Sequence, residues 1–422
     1  MSRTATHLLR LLIFSILVAL SYRLYNGYHL LVPIYPLPIS YFHFPASTSQ
    51  STSQLPLSTS TTGQCHRINA PSGQLAYCED LEEWHSLSGD RLGLLASCDP
   101  SRRGWNTVMG PLRDPNPRGS VWLVDPSTEE SVQLPLVGYP EGHDFHPLGI
   151  SVLPSAPGEP TTLFAVNHGR HNSTIEVFRL SSPSSGSPQL EYVRTLTHRR
   201  ILSPNAVVAI SPSTVLMSQD HTFTRRLPPP LGNTLPMLES VLALPGGSVD
   251  VLQFQPSSPQ AAGTFTTPTF TSAVPHFPFA NGLAYSPLTQ TLAVASSSKA
   301  AVYMYDLPLA SSVLLLPLRH KSTTPVPFSP DNLSFSSSGT LYASGHPNFP
   351  AIIRHAKSAS SRAGSWVVSI SQDGETRTVF QSAGGPEEEA WNASTTAIAD
   401  EEHGKVWISG LYGEGILACG PA

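Results

Sequence analysis

Hydrophobic and polar positions alternate in short paired runs. In "SPDNLSFSSSGTLYASGHP", residues 329–347, Leu333 and Phe335 mark one strand and Leu341 and Tyr342 another, around a polar turn. Related stretches begin at Glu79 ("EDLEEWHSLSGDRLGLLASC"), Gly149 ("GISVLPSAPGEPTTLFAVNH"), Asn205 ("NAVVAISPSTVLMSQD"), Asn281 ("NGLAYSPLTQTLAVASS") and Ser394 ("STTAIADEEHGKVWISG"). Each has a small or polar opener, an alternating strand, a turn rich in Ser, Pro or Gly, and a second strand of the type "LYAS" or "VWIS". Period, β-branched content and Pro/Gly density exclude helices. Six such units separated by variable loops predict an all-β, six-bladed β-propeller. In such a ring the first strand of every blade lines the channel, so polar openers from different blades meet at its mouth. A single Asn or Asp opener is explained by turn capping. Two carboxylates and three amides at equivalent places are not.

Ahead of the repeats the pattern changes. Residues 7–22 hold an apolar run from Leu11 to Leu20, interrupted only by Ser15, behind Arg3 and Arg10. This reads as a signal-anchor or signal peptide over 1–30. A Pro/Ser/Thr-rich linker follows over 31–62, its Ser/Thr tract at 47–62 a candidate for O-glycosylation, and the propeller occupies 63–422. Basic residues ahead of the apolar run favour a cytosolic N-terminus, with the propeller luminal or extracellular, or secreted if the segment is cleaved.

The chain has 422 residues, formal charge −5, 13% charged residues, 41 Pro and 30 Gly. That composition is globular and turn-rich, and its acidity argues against a nucleic-acid partner. The expected membrane contact is through the N-terminal segment alone. A secretory route permits disulfides. A bond between Cys65 and Cys419 would staple the two ends of the domain, while Cys78 and Cys98 are either a second bridge or two buried thiols. Sequons at Asn172 and Asn392 are candidate glycosylation sites; a third, Asn332, belongs inside if the openers converge.

The openers Glu79, Asn205, Asn281, Asp331 and Asn332 all offer hard oxygen ligands. Two carboxylates balance one divalent cation, and the amides leave room for water or substrate in a calcium shell of about 6–8 oxygens. A partly open calcium polarises an ester or lactone carbonyl toward water attack. Candidate bases are Asp331 and the histidines near strand ends: His146, His168, His221 and His346. Phe279, two residues before Asn281, supplies an apolar wall.

"FPFANGLAYSP", "DNLSFSSSGTLYASGHPN", "LFAVNHGRHNSTIEVF" and "LSPNAVVAISPSTVLMSQDHTF" together resemble the serum paraoxonase/arylesterase family, relatives of the SMP-30/gluconolactonase propellers, from about Cys65 to Cys419. The resemblance implies a six-bladed propeller, two calcium ions in its tunnel, hydrolysis of lactones and aryl esters, a retained hydrophobic N-terminus and a Cys65–Cys419 disulfide. It places the catalytic-calcium ligands on Glu79, Asn205, Asn281, Asp331 and Asn332. A second calcium would use Asp80, the Ile150 carbonyl and position 206, where Ala206 stands in place of a carboxylate, so that site is expected to be weakened. One member of the family's histidine dyad matches His168; at the other position this chain has Leu148, with His146 two residues earlier. His221, His346 and Phe279 match family positions near the site. Two functional expectations follow: a calcium-dependent hydrolase of small esters or lactones, or an inactive calcium-stabilised propeller that serves as a binding module. The loop 222–276 is expected to roof the site.

Overall fold

The computed structural model describes residues 3–32, 35–43, 65–116, 119–154, 156, 160–181, 187–255, 264–309, 315–386 and 390–420. The Ser/Thr tract at 47–62 lies outside them. Six sheets stand around an axis, antiparallel except where Leu136–Val137 and Thr264–Thr266 join the outer strand of the second in parallel. Their innermost strands are Cys78–His85, Pro147–Val152, Pro204–Ser211, Ala280–Ser286, Ser329–Phe335 and Ser394–Asp400, in blades one to six. These are the six strands that the repeated openers begin. Each packs against the next, and the sixth packs against the first, so the ring is closed.

Middle strands such as "LGLLAS" and "TLAVAS" carry small and aliphatic residues on both faces because both faces are covered. One apolar cluster fills each gap between blades. Leu81 and Leu94 of blade one meet Ile398 and Trp407 of blade six, Leu216 and Val251 meet Leu292 and Val294, and four further clusters fill the other gaps. Each buried Leu or Val contributes roughly 1.5–3 kcal/mol, so stability resides in the wedges between sheets and leaves the axis available for polar groups.

Blade six takes its outer strand, Cys65–Ile68, from the start of the domain. That strand pairs with Ile416–Cys419, Cys65 facing Cys419, and the two cysteines are bonded. Cys78 and Cys98, directly paired across the first two strands of blade one, form a second disulfide.

Helix α1 (Arg3–Leu31) is long and apolar enough over Thr4–Leu31 to cross a membrane, with mean hydropathy 1.8 over its most apolar window. Part of the segment expected to be linker is instead docked. Tyr41–Phe42 pairs with Gln381 and Phe380 on the outer edge of blade five, Ser382 Oγ donates to Ile39 O at 2.9 Å, and Tyr35 meets Trp366 edge to face. A two-residue edge strand has no periodicity to detect, so composition alone assigned these residues to the linker.

Candidate active site at the propeller axis

Every inner strand has a break in its pairing register near its start. The breaks fall between Cys78 and Asp80, Pro147 and Ile150, Pro204 and Val207, Ala280 and Leu283, Pro330 and Leu333, and Ser394 and Ala397. A bulge frees residues from the ladder and re-aims their side chains. The freed positions are the openers. They crowd the axis closely: a Cβ on Gly149 would lie 2.5 Å from Asn205 O, and one on Gly282 would lie 2.5 Å from both Asp331 O and the Asn332 Cα.

The five openers are buried, and the structure brings four of them to one cavity of about 40 Å³. Glu79, Asn205, Asn281 and Asp331 line it with Phe279, Leu148, His346 and Ser297. Asn332 joins from below, its Nδ2 donating to Glu79 O (3.0 Å), Glu79 Oε1 (3.1 Å) and Thr396 Oγ1 (3.1 Å). Asn281 Nδ2 donates to Ser297 Oγ at 2.8 Å, and Ser297 Oγ in turn donates to Pro330 O at 2.6 Å. These bonds occupy the Asn281 and Asn332 amide nitrogens. Glu79 Oε2 and the Oδ1 atoms of Asn205, Asn281 and Asn332 are left buried with no hydrogen-bond partner. A native fold rarely leaves one such acceptor unmatched, and here four oxygens are unmatched together. Burial, with Asp80 and Asp331 alongside, pushes the Glu79 carboxyl well above its ordinary pKa. Unsatisfied hard oxygens with uncompensated negative charge fit a divalent cation. Among the described residues no group of three His, Cys, Asp or Glu side chains stands ready to share an ion; this cluster comprises two carboxylates and three amides.

The set around Asp80 leaves fewer acceptors open to a second ion. Asp80 accepts hydrogen bonds from Leu81 N (2.9 Å), Ile150 N (3.0 Å) and Thr396 Oγ1 (2.9 Å), so both its oxygens are occupied. Ile150 thus faces Asp80 with its N–H. Ala206 offers no side-chain oxygen, and its N–H donates to Ser218 Oγ at 2.9 Å.

The histidines separate into two groups. His346 Nε2 lies 2.9 Å from Asp331 Oδ2 in the cavity, and its Nδ1 is buried without a partner. His221 stacks obliquely on Phe279, ring centroids 4.4 Å apart, with Nε2 2.6 Å from Ser240 Oγ. By contrast, His168 has both nitrogens engaged. Nε2 lies 2.6 Å from Pro204 O, Nδ1 meets the Thr107 hydroxyl, and burial lowers its pKa to about 4. Only an Nε2–H can donate to a carbonyl, so Nδ1 accepts from Thr107 and no nitrogen remains for a substrate. His146 turns away from the cavity, with Nδ1 2.8 Å from Asp99 Oδ2 and Nε2 3.2 Å from Pro115 O. Burial alone would raise the Asp99 carboxyl, but the His146 hydrogen bond and the Arg102 charge bring it below its ordinary value. Neither His146 nor His168 lines the cavity.

Four residues outside the loop expected to roof the site also cover it. Val108, Met109, Phe349 and Leu411 close the cavity from above. Asn106 Oδ1 accepts from the Val108 and Met109 N–H groups, both at 2.9 Å, and Arg225 Nε donates to Val108 O at 3.1 Å. Phe349 opens α3 (Phe349–Lys357), which the Asn348 side chain caps at Ala351 N. Arg225 and α2 (Leu231–Val241) come from the loop expected to cover the site, whose residues 256–263 lie outside the described ones. With one water needing about 10–15 Å³, the cavity of about 40 Å³ has room for a single ion and a little water. A larger cleft, about 420 Å³, lies between blades four and five, lined by Thr289, Lys321, Phe335 and Asp373 among others, and shares none of these groups.

Of the sequons, Asn172 is exposed. Asn392 is fully buried, donating to Gly385 O at 2.9 Å and accepting from the Ala363 and Gly385 N–H groups. This corrects its assignment as a glycan site, because the amide nitrogen is a structural donor in the folded chain.

The structure is a closed propeller with an axial cluster of buried carboxylate and amide oxygens. The arylesterase family model matches residues 110–379, more than half of the chain, and the chain belongs to that family. It is 25% identical over 238 residues to serum paraoxonase/arylesterase 2 of Gallus gallus (56% of this chain, 59% of that protein) and 28% identical over 116 residues to serum paraoxonase/lactonase 3 of Homo sapiens (27% and 31%). The chain thus spans less than two thirds of the length of these relatives. Among solved structures it is similar to a gluconolactonase from Xanthomonas campestris (TM-score 0.43, 15% identity, 92% of this chain, 99% of that one) and a luciferin-regenerating enzyme (0.45, 12%, 85%, 95%).

Proposed function

We propose that the chain is a calcium-dependent hydrolase of small esters or lactones, tethered by α1 with its propeller luminal or extracellular. The observation that carries this reading is the set of four unpartnered oxygens on Glu79, Asn205, Asn281 and Asn332, beside Asp331. Glu79, Asn205, Asn281, Asp331 and Asn332 would hold the ion. When bound, calcium supplies Lewis-acid polarisation of a substrate carbonyl. The chain's own groups supply the rest. Asp331 accepts the proton of the attacking water, and His346, 2.9 Å away with its second nitrogen free, takes it onward. Phe279, Leu148 and Phe349 exclude bulk water and pack on the apolar part of the substrate. His168 and His146 have structural roles in this scheme, since their nitrogens are committed elsewhere. The apolar helix and the two disulfides fit the secretory route.

Leu148 and the locked His168 favour a second reading, a calcium-stabilised propeller without turnover. A panel of lactones and phenyl acetate, assayed with and without chelator, separates the two. Chelator-sensitive turnover that Asp331→Asn removes supports the hydrolase. A calcium-dependent thermal shift without turnover on any substrate supports the binding module.

A further inference from the structure

We infer that Ser240 and Gly27 are positioning residues: α1 clamps α2, and α2 holds His221 against the Phe279 wall. The kinetic part of this inference rests on the hydrolase reading above; the structural part does not.

The first link is a notch. A Cβ on Gly27 would lie 1.8 Å from Val241 O, so only glycine lets α1 approach the last residue of α2 this closely. Beside it, Arg23 Nη1 donates to Leu242 O at 3.2 Å and Ala243 O at 3.5 Å. A helix end presents carbonyls with no partner of their own, and a guanidinium there answers both the missing donors and the negative end of the dipole.

The second link is the grip of α2 on the segment beneath it. Ser240, adjacent to Val241, brings Oγ within 2.6 Å of His221 Nε2 and 2.9 Å of Pro236 O. Glu239, also buried, accepts from the Thr222 N–H at 2.9 Å and the Phe223 N–H at 3.0 Å. Three consecutive residues, 221–223, are therefore held by two consecutive residues of α2.

The third link is the wall. His221 lies 4.4 Å from Phe279, centroid to centroid, and Phe279 has φ +48°, a left-handed backbone that a bulky residue keeps only when its surroundings enforce it. Two residues on is Asn281. Its amide is fixed by Ser297, which begins the 3-10 turn Ser297–Lys299 that both α1 and α2 touch. The clamp thus reaches the site through the Phe279 ring and through the partner of the Asn281 amide. The Ser240 hydroxyl hydrogen-bonds His221 and Pro236, neither of which lines the cavity, and so acts through His221.

The full-length chain in detergent micelles tests this, with variants Ser240→Ala, Ser240→Thr, Gly27→Leu and the milder Arg23→Ala. Hydrogen–deuterium exchange is read over residues 219–223 and 277–283, together with kcat and KM on phenyl acetate. Faster exchange over both segments is expected in Ser240→Ala and Gly27→Leu, with Ser240→Thr close to wild type. KM should rise by roughly tenfold with kcat within about twofold, as when binding is lost without loss of chemistry. Unchanged exchange at 277–283 in Ser240→Ala, Gly27→Leu and Arg23→Ala would overturn the inference. So would an equal loss of kcat in the Thr and Ala variants of Ser240. A wild-type chain with no turnover counts against the hydrolase reading alone, because exchange still decides the positioning.

Discussion

The axial oxygens and the group around Asp80 sit one residue apart on the same inner strands, yet the structure treats them differently. Glu79, Asn205, Asn281 and Asn332 each keep an oxygen that no protein donor reaches. Asp80, next in the chain to Glu79, has its carboxylate taken by Leu81, Ile150 and Thr396, and Ala206, next to Asn205, has nothing to offer. The axial set has two acidic residues, Glu79 and Asp331, and the other group has one, Asp80. The two also differ in the number of acceptors left over once the backbone and neighbouring hydroxyls are satisfied. A cation site is built from that remainder.

Several substitutions would break or sharpen the contrast. The largest expected effect is that of Asp331→Asn, which removes both a charge for the ion and the proposed base. It should lower kcat/KM by about 10²–10⁴-fold, read by steady-state lactone hydrolysis; a variant within threefold of wild type would sink the assignment. Glu79→Gln keeps the shape and removes one charge. Calcium affinity, followed by titration calorimetry, should fall at least as far as the ~10–100-fold typical of disturbing a ligand's support. Asp80→Ala tests the other group. It strips three donors of their acceptor and should cost about 1–3 kcal/mol of unfolding free energy, while calcium stoichiometry stays at one per chain; two ions in the wild type would refute the distinction. The smallest effect is expected at His168→Gln, below about tenfold in kcat, since both ring nitrogens are already committed to Thr107 and Pro204.

The fold was legible because its signals are local. Each opener, strand and turn lies within about twenty residues, and the six starts correspond to the six inner strands. The convergence of Glu79 with Asn332, 253 positions away, was legible only through repetition, since equivalent places in a ring face one axis. The roof was legible only for the loop that carries Arg225 and α2. Asn106, Met109, Phe349 and Leu411 come from loops whose only common property is where the fold puts them. Ser240 carries no signal either, as a helical serine looks solvent-facing until its histidine is seen. Asn392 misled because a sequon is three residues long, whereas burial of that amide depends on Gly385 and Ala363 in neighbouring turns. His146 and Leu148 show the limit of strand alternation: they stand two residues apart, but the bulge after Pro147 separates them, and only Leu148 meets the cavity.

One consequence concerns biosynthesis. The strand Cys65–Ile68 is among the first parts of the propeller to be made, and it has no neighbour until Ile416–Cys419 exists. While the ribosome works through the intervening blades, that early segment is an unmatched β-edge awaiting Ile416–Cys419. A truncation ahead of Ile416 would therefore leave both ends of the ring gaping, and would resemble a much earlier truncation in its burden on chaperones.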